Sequence, residues 1–388
     1  MPTSLLSDLE LLRRLIAFDS TSRFSNVPIA DFICEYLDRP GIRIERQPSA
    51  DGEKVNLVVI VGPEPDGSGA GLSLSGHMDV VPAEEPEWTG DPFQMREDGD
   101  RLLGRGTADM KGFVALAINT AARAAEASLK SPVALVLTFD EELGTLGARY
   151  FTEHWSIKER PLPTSMIIGE PTSLQAVRLH KGHASARLTV RGRSAHSGYP
   201  HLGHNAIEPM GRAITALTTL RHELQVEACP NGEYFPEVPF VALNLSTVNG
   251  GSAINIVPEH VELALGFRVL PGMETDELAA RAEAAVSAVL DGEDWNFERL
   301  NFSPPMLMEA DHSLYREVCR FSGQSDTVSA SYATDGGWLS VAGFDCLLYG
   351  PGTIEVAHRP DEWLPRSEFE QCSKDLATLV RSRCQGGA

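Results

Sequence analysis

Val133-Ala134-Leu135-Val136-Leu137-Thr138-Phe139, followed at once by Asp140-Glu141-Glu142, is the most informative stretch of the chain. The run is almost continuously apolar and rich in β-branched residues. That is the mark of a strand covered on both faces rather than a half-exposed one. Similar shorter runs stand at Leu57–Val61, Leu72–Leu74, Met166–Ile168 and Cys346–Tyr349. Helical stretches lie between some of them, notably Phe113–Ala127. Leu5, Leu9, Leu12 and Ile16 form one face of an earlier helix, where Ser7 and Glu10 have capping-box spacing. Strands alternating with helices give the expected class: α/β, a mostly parallel sheet with helices on both faces.

Residues 180–302 read differently. Ala184, Ala186, Leu188 and Val190 alternate with Ser185, Arg187, Thr189 and Arg191, a half-buried strand. A helix over 206–224, strands at Val241–Val248 and Val261–Val269, a helix from Thr275 to Leu290 and a strand near Phe297–Phe302 follow. The order βαββαβ is that of a ferredoxin-like α+β unit. The expected organisation is a catalytic domain of residues 1–179 and 303–388, interrupted by an inserted domain of 180–302.

The 388 residues are 42% hydrophobic and 22% charged, an ordinary globular balance. Acidic residues outnumber basic ones, 54 to 33, for a net charge of −21. Such a chain is poorly suited to bind nucleic acid or an acidic membrane surface. The six cysteines form no CxxC pair, which fits a reducing compartment. Asp8, Glu10, Arg13 and Arg14 interrupt the first apolar stretch, so no signal peptide is expected, and the expected location is the cytoplasm. No Walker A sequence or GxSxG elbow is present.

Chemistry-bearing residues collect where the strands end. His77 follows the strand at Leu72–Leu74, Glu141 and Glu142 follow Phe139, Glu170 follows Ile168, and His358 lies beyond Tyr349. Asp109 stands just before the Phe113 helix. Ligands in open α/β sheets bind at the carboxyl ends of strands. Two histidines and three carboxylates suit Zn²⁺, Mn²⁺ or Co²⁺. Three carboxylates and a bridging hydroxide balance the charge of two divalent ions, whereas a lone zinc would not need them.

Ser75-Gly76-His77-Met78-Asp79-Val80-Val81-Pro82, Gly104-Arg105-Gly106-Thr107-Ala108-Asp109-Met110-Lys111-Gly112, Asp140-Glu141-Glu142, Gly169-Glu170-Pro171-Thr172 and Ala357-His358-Arg359-Pro360-Asp361-Glu362 together resemble the motifs of the co-catalytic di-zinc amidohydrolases. The resemblance spans essentially the whole chain. Trp88–Phe93, His180–His183 and Leu270–Met273 are most similar to the acetylornithine deacetylase branch of that family.

The resemblance implies two divalent metal ions, Zn²⁺ with Co²⁺ able to substitute. His77 and Glu170 would bind one, Glu142 and His358 the other, and Asp109 both. Glu141 would be the general base, and Asp79 would orient His77. From the inserted lid and dimerisation domain, His196 would donate to the oxyanion, Arg268 would grip a substrate α-carboxylate, and Asn255 would be a further substrate-binding residue. Many family members carry an aspartate where this chain has Gly266. Thr334, in Thr334-Asp335-Gly336, resembles a loop near the substrate. The implied partners are a small N-acyl amino acid and a second copy of the chain. The implied reaction yields acetate and L-ornithine from N2-acetyl-L-ornithine, in arginine biosynthesis. Another N-acyl amino acid such as acetylcitrulline or succinyl-diaminopimelate, a dipeptide substrate, or an inert metal-binding scaffold are the alternative readings.

Overall fold

The computed structural model describes residues 4–386. They form two compact units. The first comprises the described residues up to Leu179, Leu307–Val328 and those from Thr334 onward; the second comprises His180–Met306 and Ser329–Ala333. Residues 329–333 belong to the inserted unit although they follow it by a long excursion. The main-chain N–H of Lys181 donates to the Ala330 carbonyl at 3.0 Å, and the Ser329 hydroxyl donates to the Tyr234 carbonyl at 2.5 Å.

The first unit is built on a mixed sheet. Its centre is four parallel strands in the order Val133–Thr138, Leu72–His77, Ser165–Ile168 and Asp345–Leu348. Val55–Val61 and then Ile42–Pro48 extend one edge in antiparallel register, and Val177–His180 runs antiparallel beyond Asp345–Leu348. Every residue of Val133–Thr138 and of Leu72–His77 is buried, as the unbroken apolar run requires. Helices Asp8–Ile16, Gly112–Ala124 and Arg366–Val380 supply much of the covering core through Leu11, Leu15, Leu116, Phe369 and Leu376. Ser7 caps the first helix, its hydroxyl accepting from the Glu10 N–H at 3.2 Å. Residues 42–48 and 177–180 form strands that carry no strong local signal; pairing with Val55–Val61 and with Asp345–Leu348 determines their state.

The second unit is a four-stranded antiparallel sheet in the order Ala242–Gly250, His260–Val269, Gly182–Arg191 and Asp294–Ser303. Ala186, Leu188, Leu263, Leu265 and Phe267 face helices Ile207–Val226 and Thr275–Ser287, whose Ala213, Leu217 and Ala282 complete the core. The other sheet face is polar. Among the described residues no helix is long and apolar enough to cross a membrane.

Candidate metal centre

Three parallel strands end side by side, and each delivers a site residue. His77 is the last residue of Leu72–His77, Glu141-Glu142 turn away three residues beyond Thr138, and Glu170 lies two residues beyond Ile168. Close packing at Gly169 sets the last of these. A Cβ there would stand 1.7 Å from the Phe113 ring, so only glycine lets the chain pass before Glu170. Asp109 enters from Thr107–Lys111, a segment with non-helical backbone at Asp109 and a cis Asp109–Met110 peptide. His358 enters from the loop between Asp345–Leu348 and Trp363–Pro365, with φ of 60°.

Side-chain nitrogens and oxygens of His77, Asp109 and Glu142 all lie within 4.8 Å of one another. His77 Nε2 is 3.0 Å from Asp109 Oδ1, while the second oxygen of Asp109 is 3.3 Å from His358 Nε2. His358 Nε2 also lies 3.0 Å from the Glu142 carboxylate. His77 Nδ1 is 2.9 Å from the main-chain carbonyl oxygen of Asp79 and 3.6 Å from its carboxylate. A proton on Nδ1 donated to that carbonyl leaves Nε2 as a free lone pair.

The Asp79 carboxylate has other partners. It accepts the Glu141 N–H at 3.1 Å on Oδ1, and the Glu142 N–H at 3.3 Å and the Ser22 hydroxyl at 2.7 Å on Oδ2. Lys54 pairs with Asp140 at 2.5 Å. The turn that carries both glutamates is thus held by its main chain and at its first side chain, which leaves Glu141 and Glu142 to face the centre.

Electrostatics test whether cations fit. Burial, reinforced by neighbouring carboxylates, pushes Glu141 and Glu170 well above the usual carboxylate range and Glu142 up to about 7. Burial alone would lower His77, but the hydrogen bond to Asp109 and the charges of Asp79, Asp109 and Glu141 outweigh it and hold His77 well above an ordinary imidazole. His358 is raised to about 10, first by Asp109 and then by Glu142. Asp335, buried and raised to about 6 by that burial, accepts from Thr138 on Oδ2; its Oδ1 is buried with no hydrogen-bond donor among the described residues. A dense set of carboxylates with only imidazoles to offset it, and an orphaned buried oxygen beside it, is a donor set that fits divalent cations.

The first unit holds His77, Asp79, Asp109, Glu141, Glu142, Glu170, Thr334 and His358. Thr334 Oγ1 accepts the Gly336 N–H at 3.0 Å at the start of a short helix, whereas it is the neighbouring Asp335 whose charge reaches Glu141 and Glu170. The second unit holds His196, Asn255 and Arg268. The first two share adjoining loops, because the Ser197 N–H donates to the Asn255 carbonyl at 2.9 Å and His196 bridges to Ile256. His196 Nδ1 accepts the Gly198 N–H at 3.0 Å. Arg268 stands across the sheet from His183, with no ion pair among the described residues. The sequence marks the Thr334-Asp335-Gly336 loop but points to Thr334 rather than Asp335 within it, and does not single out Ser22, whose local context is that of any surface serine.

Comparisons with known proteins place the chain in a family. A curated acetylornithine deacetylase from Proteus mirabilis is 36% identical over 387 residues, covering 97% of this chain and 96% of that one. A solved M20 family metallo-carboxypeptidase from Sulfolobus solfataricus is 16% identical, with a TM-score of 0.77 over 97% of this chain and 99% of that one. A Bacillus subtilis dinuclear metal-binding peptidase of the M20 family, 17% identical, superposes with a TM-score of 0.66 over 96% of each chain. The model of peptidase family M20/M25/M40 matches residues 73–382, from the strand that ends in His77 to the helix beyond His358, so that the centre lies wholly within the match, and the chain belongs to that family.

Proposed function

We propose that this metal-dependent amidohydrolase removes the acetyl group of N2-acetyl-L-ornithine, giving L-ornithine and acetate. The observation that carries this reading is full-length similarity, 36% over 97% of the chain, to an acetylornithine deacetylase, in a chain whose His77, Asp109, Glu142 and His358 converge. On this reading His77, Glu170, Glu142 and His358 hold two divalent ions, Zn²⁺ or Co²⁺, with Asp109 shared between them. When bound, such ions supply Lewis acidity toward the acyl oxygen and lower the pKa of water.

The remaining work falls to side chains. The Glu141 carboxylate accepts no hydrogen bond from a donor among the described residues, although its main-chain carbonyl accepts from the Gly144 and Thr145 N–H groups, and its raised proton affinity suits a general base. It accepts a proton from the attacking water and returns it to the amine nitrogen as the C–N bond breaks. Arg268 holds the substrate α-carboxylate as a two-pronged donor, and His196 donates to the acyl oxygen as charge develops there. Asn255 and Thr334 complete the substrate contacts. The inserted unit also joins two copies into a homodimer, and the enzyme works in the cytoplasm in the ornithine-forming step of arginine biosynthesis.

The test is a panel of N-acyl amino acids and dipeptides offered to purified protein before and after chelation. Acetylornithine should be the best substrate, chelation should abolish turnover, and Zn²⁺ or Co²⁺ should restore it. A dipeptide or succinylated substrate turned over faster overturns the assignment. Full activity after exhaustive chelation overturns the metal reading.

A further inference from the structure

Glu362 is 1% exposed, and its carboxylate is fully occupied. Oε1 accepts the Ala108 N–H at 2.9 Å and the Asp109 N–H at 3.1 Å. Oε2 accepts the Gly106 N–H at 3.1 Å and Arg105 Nη1 at 2.8 Å. A carboxylate offers about four lone-pair sites, so none is left for a metal. All four donors belong to the segment that presents Asp109.

Strand register explains how the residue arrives there. Arg101–Leu103 pairs antiparallel with Trp363–Pro365, Trp363 opposite Leu103. One step past the pair, the Gly104 N–H donates to the Glu362 carbonyl at 3.0 Å. The side chain then lies over the turn that begins at Gly104. Arg105, itself 1% exposed, is braced from behind: Nη2 donates to the Pro82 carbonyl at 3.0 Å, and the guanidinium lies over the Trp88 ring at 5.1 Å. Joining two loops does not require a buried charge, and burying one is costly unless it is paired and hydrogen-bonded. Here both conditions are met on the main chain of one ligand-bearing turn.

We infer that Glu362 is a positioning residue: it fixes the Asp109 peptide against the loop that carries His358, and so sets the separation at which the Asp109 carboxylate meets that imidazole. The inference rests on the metal-centre reading. Neither Glu362 nor Arg105 touches the reacting atoms; they act through the placement of Asp109.

The experiment is a Co²⁺ titration followed by visible absorption, with Zn²⁺ competition, on wild type, Glu362→Gln, Glu362→Asp and Asp361→Asn, with melting curves and kinetics on the same preparations. Glutamine keeps the size but must turn its NH₂ toward either the Ala108 and Asp109 amides or Arg105 and Gly106, donor against donor. Aspartate keeps the charge but retracts from one of the two groups. Each should bind Co²⁺ about 10–100-fold more weakly with an altered spectrum, and lose kcat with KM within about twofold. Asp361→Asn, in the same loop but engaged with Thr89 and Arg96, should bind Co²⁺ as wild type does. Either folded Glu362 variant binding Co²⁺ with wild-type affinity and spectrum overturns the inference. So does failure of both to fold in the presence of Zn²⁺, since the carboxylate then serves the whole fold. Wild type that takes up no Co²⁺ overturns instead the metal-centre reading.

Discussion

His77 Nε2 lies 3.0 Å from Asp109 Oδ1, and the other oxygen of that carboxylate lies 3.3 Å from His358 Nε2. One short side chain thus faces imidazoles from opposite ends of the catalytic unit. A carboxylate that offers each oxygen to a different histidine is placed as a ligand shared by two cations would be. Around it the acids divide by what their oxygens already hold. Asp79 is filled by two main-chain N–H groups and the Ser22 hydroxyl, and Glu362 by three main-chain N–H groups and Arg105, whereas the Glu141, Glu142 and Glu170 carboxylates hold no main-chain N–H among the described residues.

The two adjacent glutamates should separate cleanly on substitution. Glutamine is nearly isosteric with glutamate but accepts no proton and is a poor anionic ligand. Glu141→Gln should keep its metal and lose at least about 10²-fold in kcat. Glu142→Gln should first lose metal and only in consequence activity. Metal content measured beside turnover decides between them, and the opposite pattern would exchange the two roles.

Asp79→Asn tests the grip on the Glu141-Glu142 turn. An amide in place of the carboxylate sets an NH₂ against one of the two N–H groups. Turnover should fall about 10–100-fold while KM for the substrate moves little. Ser22→Ala removes only the hydroxyl donor to Oδ2, and should cost about 1 kcal/mol of stability with most activity retained. Equal loss of activity in the two variants would place the effect in folding rather than in the turn.

Arg268 is tested by comparing a substrate with its own amide. If the guanidinium holds the α-carboxylate, Arg268→Ala should weaken kcat/KM for the acid by about 2–4 kcal/mol and for the α-carboxamide far less. A loss of the same size on both would mark the arginine as part of the sheet's structure.

Stability should fall with acidity through His180. This imidazole is fully buried beside the Lys181 carbonyl, and burial pushes its pKa down to about 4, against about 6.5 for an ordinary imidazole. Below pH 6.5 the unfolded chain takes up a proton that the native state refuses until about pH 4. The stability contributed by neutral His180 is therefore complete above pH 6.5 and is lost as the pH falls toward 4, by up to about 3 kcal/mol. Urea midpoints between pH 7.5 and pH 5 should show the gap between wild type and His180→Gln narrowing with acidity; a constant gap would refute the account.

The sequence by itself determined the element types and the placement of the acids and histidines along the sheet, because both are written locally. Val133–Thr138 is a buried strand since its residues are apolar without alternation, and Ala184–Val190 a one-sided strand since they alternate. A histidine or acid two or three residues past such an apolar run is delivered to the sheet's carboxyl edge by the strand's own length, so the placement of His77, Glu141, Glu142 and Glu170 was legible before any coordinates. Tertiary structure alone decided what holds them. The Asp109 N–H finds Glu362 across 253 residues of chain, and the Glu141 N–H finds Asp79 across 62. Residues 329–333 join the inserted unit through Ser329 and Ala330, with no local pattern to announce it. Main-chain donors are the same at every position, so the sequence cannot mark which acid will accept from them. That is fixed only when packing brings a buried carboxylate to a turn whose N–H groups would otherwise go unpaired.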